Sequence, residues 1–383
     1  MDFELSDEQR TLQRTVRAFA ERELAPHTME WDEQQAWPEE AVRQLGAMGL
    51  LGILVPTELG GSGMGYIEYV LAISELARVD GSIGLIVAAH NSLCCNHILQ
   101  FGSEAQKKKY LPRLARGEWI GCWSLTEPQA GSDAGGTRTT AVRQNSGWVL
   151  NGAKTFTTNG NHAQVCVAMA VSGKAQGKHG ISAFIVERGT PGFHPGKKEN
   201  KLGMRASDTS EMVFEDCTVG SDALLGKEGE GFVDALQVLD GGRISIAALG
   251  WGMAQGAYEA ARGYALERKQ FGKAIAEFQG IQWKLADLAT EIEAARLLTL
   301  SAAWQKDQGE TVTQASAMAK LYAGETAVKA ASECVQIYGG YGFIKDYPAE
   351  KFYRDAKLCT IGEGTSEIQR LVIARELLRN GQL

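Results

Sequence analysis

The spacing of apolar residues changes twice along the chain, and no other feature of the sequence constrains the fold as strongly. Up to about Gly117, apolar residues recur at helical intervals, whereas from Trp119 to about Val219 short runs of β-forming residues alternate with turn residues. Longer helical patterns return from about Gly229. A chain of 383 residues typically forms two or three domains, and this pattern predicts three, at residues 1–118, 119–228 and 229–383.

The first zone opens with a helix start signal, because Ser6 and Gln9 have the spacing of a capping box. Glycine and proline residues divide the rest of this zone into further helical segments. We expect these helices at Glu39–Gly49, Tyr66–Val79, Ile83–Phe101 and Glu104–Arg116.

The middle zone contains a hairpin signal, in which the runs Thr139–Arg143 and Trp148–Leu150 flank the turn sequence Asn145-Ser146-Gly147. Further strands are expected at Val165–Val171, Ile181–Val186 and Glu211–Phe214. Several short strands joined by loops predict a small sandwich or barrel.

The last zone has the pattern of a helical bundle. Ile244 to Tyr258 carries no charge, which suits a central helix buried on most sides. The remaining helices are expected at Ile281–Gln305, Thr313–Tyr338 and Ile368–Leu378.

Charge and hydropathy exclude some classes of partner. A net charge of −7, with a pI near 5.6, argues against nucleic acid and anionic membrane surfaces. The uncharged stretch from Gly81 to Ser103 is long enough to span a bilayer. It holds five strongly polar residues, so a buried core helix is expected and no membrane partner: His90, Asn91, Asn96, His97 and Gln100.

The cysteines and the opening residues indicate an intracellular protein. Seven cysteines at irregular spacing, without a C-x-x-C pair, predict reduced buried thiols and no metal site. The opening Met1-Asp2-Phe3-Glu4 has no features of a targeting segment. A cytoplasmic location is therefore expected, or the mitochondrial matrix if a presequence has been removed.

Familiar catalytic motifs are absent from the sequence, and this disfavours several enzyme classes. There is no G-x-G-x-x-G, G-x-x-x-x-G-K-[ST], G-x-S-x-G or H-E-x-x-H. A Rossmann dinucleotide enzyme, a P-loop NTPase, an α/β-hydrolase and a zincin are all disfavoured.

Four polar, glycine-rich segments remain as candidate binding segments, in a chain where 45 residues are glycine. They are Trp123–Asp133, Lys154–Gly160, Arg268–Gly272 with Gln279 beyond it, and Gln336–Phe343 followed by Ile361–Gln369. Loops with hydroxyls and free backbone N–H groups suit a polar ligand, although a well-made turn explains the first segment equally well. Glu363 lies between two glycines, just before a helix that Thr365 or Ser366 can cap, and a solvated loop acid is the simplest interpretation of that segment alone.

Taken together and in order, these segments resemble the acyl-CoA dehydrogenase family along essentially the whole chain, and most closely its short-chain, butyryl-type members. The resemblance implies an α+β, mainly α fold, with an N-terminal helical domain, a middle β-barrel domain and a C-terminal four-helix bundle. It also implies FAD-dependent oxidation of acyl-CoA thioesters to trans-2-enoyl-CoA, as in fatty acid β-oxidation. The acyl chain and the pathway stay open.

The resemblance gives Glu363 the role of the base that removes the α-proton, while a hydride passes from Cβ to flavin N5. The backbone N–H of Glu363 and a flavin ribityl hydroxyl would stabilise the thioester oxygen. A second base position of the family is Gly242 here, which has no side chain to offer. The residues matched to substrate binding are Ser132, Asp240, Arg243 and Gly364.

The resemblance also assigns residues to FAD. Many members have Trp where this chain has Phe156. The matched positions are Trp123, Leu125, Thr126, Ser132, Phe156, Thr157, Thr158, Arg268, Phe271, Gln279, Gln336, Gly339, Gly340, Thr365, Ser366 and Glu367. The residues from Arg268 to Gly340 are matched to positions that hold the pyrophosphate and adenosine of FAD, partly from a neighbouring subunit. The helix start at Thr365 suits the diphosphate of FAD.

The implied partners are an electron-transfer flavoprotein and further copies of the chain in a homotetramer. Several members carry an aromatic residue where this chain has Gly362, which leaves room for a branched or longer acyl group. Two alternatives stay open: an acyl-CoA oxidase or other flavoprotein on the same fold, and a non-catalytic acyl-CoA-binding protein.

Overall fold

The computed structural model describes residues 4–173 and 180–380. Its first part is helical, as predicted, and the capping box is present, since Ser6 Oγ accepts from the Gln9 N–H and Gln9 Oε1 accepts from the Ser6 N–H. The helices are α1 (Asp7–Phe19), α2 (Thr28–Gln34), α3 (Glu39–Ala47), α4 (Tyr66–Val79), α5 (Gly81–Ala88), α6 (Asn96–Phe101) and α7 (Glu104–Ala115).

Helices α5 and α6 are joined by one wide π-helical segment, Ala89–Cys95, into a continuous helix from Gly81 to Phe101. Among the described residues, this is the single helix that is long and apolar enough to cross a membrane. Because 94% of its most apolar window is buried within the protein, it is a core helix, as the sequence predicts.

The middle part is one eight-stranded sheet, with the strand order β6-β7-β3-β2-β4-β5-β8 and β1 paired to β4. The predicted hairpin forms between β2 and β3, with Gln144 opposite Gly147 and Asn145 at a positive φ of 52°. The strands are β1 (Gly121–Ser124), β2 (Thr140–Gln144), β3 (Gly147–Thr158), β4 (Val165–Val171), β5 (Ile181–Glu187), β6 (Phe193–Lys198), β7 (Thr209–Gly220) and β8 (Leu224–Leu225). The sequence missed β1, β6 and β8, because they are short or contain Pro and Gly, and pairing with neighbouring strands defines them.

The last part is a helical bundle built on α8, whose residues from Gly241 to Ala254 are all buried. Helix α8 packs on α10, on α4 and on α9. A short hairpin, β9 (Lys269–Gln270) and β10 (Lys273–Ala274), precedes α9. The helices are α8 (Gly231–Glu267), α9 (Gln279–Asp307), α10 (Thr313–Tyr338), α11 (Ala349–Ala356) and α12 (Ser366–Asn380). The expected central helix and three-part fold are confirmed, and all seven cysteines are free and buried.

A buried charge network joins the three parts. Lys351 of α11 lies 2.7 Å from Asp355 and 3.3 Å from Asp80, which precedes α5. Asp355 also accepts a hydrogen bond from the backbone N–H of Met204, in the segment between β6 and β7. Since buried charges are costly unless they are paired, this network fixes the three parts of the chain against one another.

Candidate active site

Glu363 lies in the loop before α12, in a backbone conformation that side-chain-bearing residues rarely adopt. Its φ is 54° and that of Gly364 is 95°, so two consecutive residues are left-handed. Within the part of the chain that the structure describes, the buried Oε2 of Glu363 has no hydrogen-bond partner. Burial raises the pKa of Glu363 to about 7, against the opposing influence of Lys320 and Arg243.

Gly242 of α8 is the direct neighbour of this carboxylate. A Cβ placed at residue 242 would lie only 2.0 Å from Glu363 Oε2 and 3.1 Å from Leu93 Cδ2. Positions 242 and 363 therefore compete for one space, and in this chain position 363 fills it with a carboxyl group.

An apolar cluster borders the same space, because Leu93 belongs to it. Its buried members are Ala89, Leu93 and Val238, and Trp123 and Leu239 pack against them. An apolar wall beside an unpartnered carboxylate can hold an aliphatic chain while the carboxylate faces one of its C–H bonds.

Arg243 and Asp240, which the resemblance matched to substrate binding, form an ion pair on α8. Arg243 Nη1 lies 2.6 Å from Asp240 Oδ1, and Asp240 Oδ2 accepts from Thr313 Oγ1 at 2.6 Å. Burial lowers the pKa of Arg243, although Asp240 and Glu363 oppose that shift. The buried Nε of Arg243 has no partner among the described residues, so one donor stays available to a ligand.

The middle domain brings a second group of predicted residues together at the ends of β1 and β3. Thr157 Oγ1 lies 2.9 Å from Ser124 Oγ, and the Thr155 N–H donates to Thr126 O at 2.8 Å. Phe156, between them, has a φ of 57° and an exposed fraction of 65%. The local hydrogen bonds thus hold an aromatic ring outward beside two hydroxyls.

Other predicted residues of this group lie nearby in the fold. Trp123 Nε1 donates to His97 Nδ1 at 3.0 Å, which links β1 to α6. Leu125 is buried and Thr158 is half-buried, whereas Ser132 is exposed on the loop that follows β1.

Thr365, Ser366 and Glu367 lie at the start of α12, separated from Glu363 by Gly364. Thr365 Oγ1 accepts from the Ile368 N–H at 3.3 Å, so the predicted capping role is confirmed for Thr365. Ser366 is buried and Glu367 is exposed.

A third group lies at the far end of the bundle. The Arg268 guanidinium lies over the Tyr341 ring, 5.4 Å from its centroid, and this joins the β9–β10 hairpin to the segment after α10. Phe271 is 93% exposed at a φ of 52°. Gln279, Gln336, Gly339 and Gly340 are exposed as well. Within the described ranges of a single chain, no hydrogen bond, ion pair or ring contact joins this group to Glu363 or Thr157.

Three contacts near the predicted site residues were not anticipated from the sequence: those of Lys320 and Gln369 with the Glu363 loop, and the ion pair between Glu127 and Lys154. Lys320 Nζ donates to Gly364 O, and Lys154 Nζ lies 2.7 Å from Glu127 Oε1. One signal was available for Lys320, because it shares a helical face with the buried small residues Ala317 and Ala323. A lysine on a buried face indicates a specific partner.

Comparisons with known proteins agree with the three-part organisation. The acyl-CoA dehydrogenase N-terminal domain matches residues 6–118, the middle domain of that family matches residues 122–217, and its C-terminal domain matches residues 229–378. The short-chain specific acyl-CoA dehydrogenase of Clostridium acetobutylicum is 48% identical over 379 residues, which are 99% of this chain and 100% of the relative.

Solved structures are similar over nearly the full length. Butyryl-CoA dehydrogenase from Megasphaera elsdenii has a TM-score of 0.97 and 43% identity, covering 99% of this chain and 100% of that one. A chain solved in work on the electron transferring flavoprotein of Acidaminococcus fermentans has a TM-score of 0.98 and 47% identity, with the same coverage. Glutaryl-CoA dehydrogenase from Mycobacterium smegmatis, in complex with FADH2, has a TM-score of 0.93 and 34% identity, covering 97% and 95%.

Proposed function

The chain belongs to the acyl-CoA dehydrogenase family, and on that premise we propose that it oxidises short-chain acyl-CoA thioesters to trans-2-enoyl-CoA, with Glu363 as the base. The observation that carries the proposal is Oε2 of Glu363, which is buried, lies next to Gly242 and has no hydrogen-bond partner among the described residues. The proposal of a short acyl group rests on the relatives, which are named short-chain specific acyl-CoA dehydrogenase and butyryl-CoA dehydrogenase.

The α-proton of a thioester is only weakly acidic. Its removal therefore needs a base, together with a hydrogen-bond donor to the thioester oxygen. Glu363 Oε2 takes that proton, and a pKa of about 7 suits a general base that works near neutral pH. The Glu363 backbone N–H donates to the thioester oxygen as negative charge develops there. The apolar wall at Leu93 and Val238 excludes water from the reacting carbons.

The residues of the middle domain fit FAD. A protruding Phe156 ring on a left-handed backbone, beside the hydroxyls of Thr157 and Thr158, provides an apolar face and polar edge for a flavin ring. The α12 N-terminus at Ser366 favours a diphosphate. When bound, FAD supplies the acceptor for the hydrogen that leaves Cβ.

The proposal extends to partners. Exposed apolar side chains in the C-terminal domain, such as Phe271 (93%) and Phe343 (87%), favour a homotetramer in which a neighbouring chain completes the adenosine site. An electron-transfer flavoprotein is the proposed acceptor, in keeping with the Acidaminococcus fermentans neighbour. Sedimentation tests the proposed homotetramer, and a monomer would contradict it.

The decisive experiment mixes the purified holoenzyme anaerobically with a series of saturated acyl-CoA thioesters. We expect the flavin absorbance to bleach fastest with short chains, and trans-2-enoyl-CoA to form in equal amount. A colourless protein, or a flavin that no acyl-CoA bleaches, would contradict the dehydrogenase and support a binding role. Reoxidation by oxygen as fast as by an electron-transfer flavoprotein would favour an oxidase.

A further inference from the structure

The loop that carries Glu363 is in a costly conformation that its surroundings must hold. Glu363 and Gly364 have φ values of 54° and 95°, and a left-handed backbone is unfavourable for any residue with a side chain. Such a conformation persists only where neighbouring groups fix it. The contacts made by the carbonyl groups of these two residues therefore decide where the carboxylate points.

Lys320, near the middle of α10, supplies one of these contacts. Its side chain is fully buried, and Nζ donates to Gly364 O at 2.5 Å. No carboxylate oxygen of the described residues lies within 4.0 Å of this ammonium. Burial lowers the pKa of Lys320 to about 8, while Cys359 and Glu363 oppose the shift. A buried cation without a paired carboxylate is costly, so the fold keeps it at the expense of stability.

Gln369, on the first turn of α12, supplies the second contact. Its Nε2 donates to Glu363 O at 3.2 Å and to Gly364 O at 3.0 Å. The side chain is fully buried. Lys320 and Gln369 thus both donate to the Gly364 carbonyl from two different helices, and Gln369 also holds the Glu363 carbonyl.

We propose that Lys320 and Gln369 are positioning residues that clamp the Glu363 loop, and that the Lys320 ammonium also tunes the carboxylate electrostatically. This inference rests on the proposed function, since it assigns them to the geometry of the proposed base. Gln369 contributes hydrogen bonds alone, whereas Lys320 contributes a hydrogen bond and a charge. Substitutions of Gln369 and of Lys320 are therefore expected to have different effects.

Several groups face the carboxylate from the packed elements. Lys320 on α10 and Arg243 on α8 are cationic, and both lower the pKa of Glu363, Lys320 more than Arg243. The Tyr69 hydroxyl on α4 also interacts with it, and burial raises the pKa of that phenol far above neutrality, so Tyr69 stays uncharged. Loss of the Lys320 charge thus shifts the titration of Glu363 to higher pH.

The test compares Lys320→Met and Gln369→Met in the holoenzyme, followed by flavin bleaching with butyryl-CoA between pH 5.5 and 9. We expect both variants to reduce the flavin about 10-fold to 10²-fold more slowly at saturating substrate, since a shift of about 1 Å in a reacting group has that effect. Only Lys320→Met should move the acid limb of the rate profile to higher pH. Amide hydrogen exchange of residues 361–369 should rise about 10-fold in both.

Lys329→Met is the matched control, because Lys329 lies on the same helix but pairs with Glu291 at the surface. It should leave the rate, the pH profile and the loop exchange unchanged. Should Lys320→Met not fold, Lys320→Gln, which also removes the charge, should show the same upward shift. Unchanged loop exchange and an unchanged acid limb in the Lys320 variants would overturn the clamp. A wild type that no acyl-CoA reduces would instead overturn the proposed function, and the exchange data would still report on the clamp.

Discussion

Glu127 and Glu363 are two glutamates of one chain whose carboxylates reach into the interior but have opposite surroundings. Glu127 accepts from Lys154 Nζ at 2.7 Å, from the N–H groups of Arg138 and Thr139 at 2.7 and 3.0 Å, and from Gln129 Nε2 at 2.6 Å. Burial alone would raise its pKa, but Lys154 and these hydrogen bonds lower it to about 2.

Among the described residues, Oε2 of Glu363 has no such partner, and burial raises the pKa of Glu363 to about 7. The difference shows that the donors around a buried carboxylate, and not burial itself, decide whether it stays ionised. Glu127 is ionised and organises the loop after β1, whereas Glu363 remains free to exchange a proton.

The sharpest test of this contrast is Glu363→Gln, which should slow flavin reduction by about 10²–10⁴-fold, as expected for loss of a general base. FAD content and the free energy of unfolding should stay near wild type, because Oε2 makes no hydrogen bond to any described residue that the amide would break. Stopped-flow bleaching gives the rate, and a near-normal rate would end the assignment of Glu363.

The opposite result is expected for Glu127→Gln. It leaves Lys154 buried without a counter-charge, which should lower the free energy of unfolding by about 3–5 kcal/mol. Denaturant unfolding at fixed FAD concentration measures this. The double variant Glu127→Gln, Lys154→Met should recover part of the lost stability. If Glu127→Gln alone left the free energy of unfolding unchanged, the ion pair would contribute little to stability.

Gly242→Ala tests the space beside Glu363. A methyl group 2.0 Å from Oε2 must displace the carboxylate, so flavin reduction should slow by about 10²-fold. If the space is shared, the double variant Glu363→Gly, Gly242→Glu should restore part of the rate lost by Glu363→Gly. Gly263→Ala, on the same helix as Gly242, is a control that should behave as wild type, because the added Cβ meets no atom of the described residues within 4 Å.

The two carboxylates should also respond to pH in separate ranges. Flavin reduction should fall about 10-fold per pH unit below about 7, since protonated Glu363 cannot accept a proton. Glu127 has a lowered pKa in the folded state, so its stabilising contribution is complete above pH 4.5 and is lost as the pH falls toward about 2. The pH profile of the reduction rate measures the first effect, and thermal unfolding at a series of pH values measures the second. If the rate and the stability changed with the same pH midpoint, the two carboxylates would not differ as proposed.

The smallest effect is expected at Gly362, next to the base. A Cβ there lies 3.4 Å from Leu358 Cδ1, an ordinary contact, so a side chain is tolerated. Gly362→Tyr should raise the ratio of kcat/KM for short straight acyl chains to kcat/KM for longer or branched chains by roughly 10-fold. Unchanged ratios across a chain-length series would show that position 362 does not line the acyl site.

Much of this architecture follows from local patterns in the sequence. The periodicity of residues 66–79, 165–171 and 313–338 predicts α4, β4 and α10 with the bounds that the structure has. The three-part order and the buried helix at Gly81–Phe101 follow in the same way. The resemblance to the family singled out Glu363, although its segment alone favoured a solvated loop acid.

The sequence by itself determined the longer helices and strands, because helix and strand periodicity depends on neighbours a few residues apart. The short strands β1, β6 and β8 were defined by their pairing in the sheet. Tertiary structure alone decided which charges meet: Lys320 and Gly364 are 44 residues apart, and Lys154 and Glu127 are 27 apart. It also placed Gly242 against Glu363 and left Oε2 of that carboxylate without a donor from the part of the chain that the structure describes. The pKa of each buried glutamate depends on these packed surroundings, so nothing in the local pattern distinguishes the two acids.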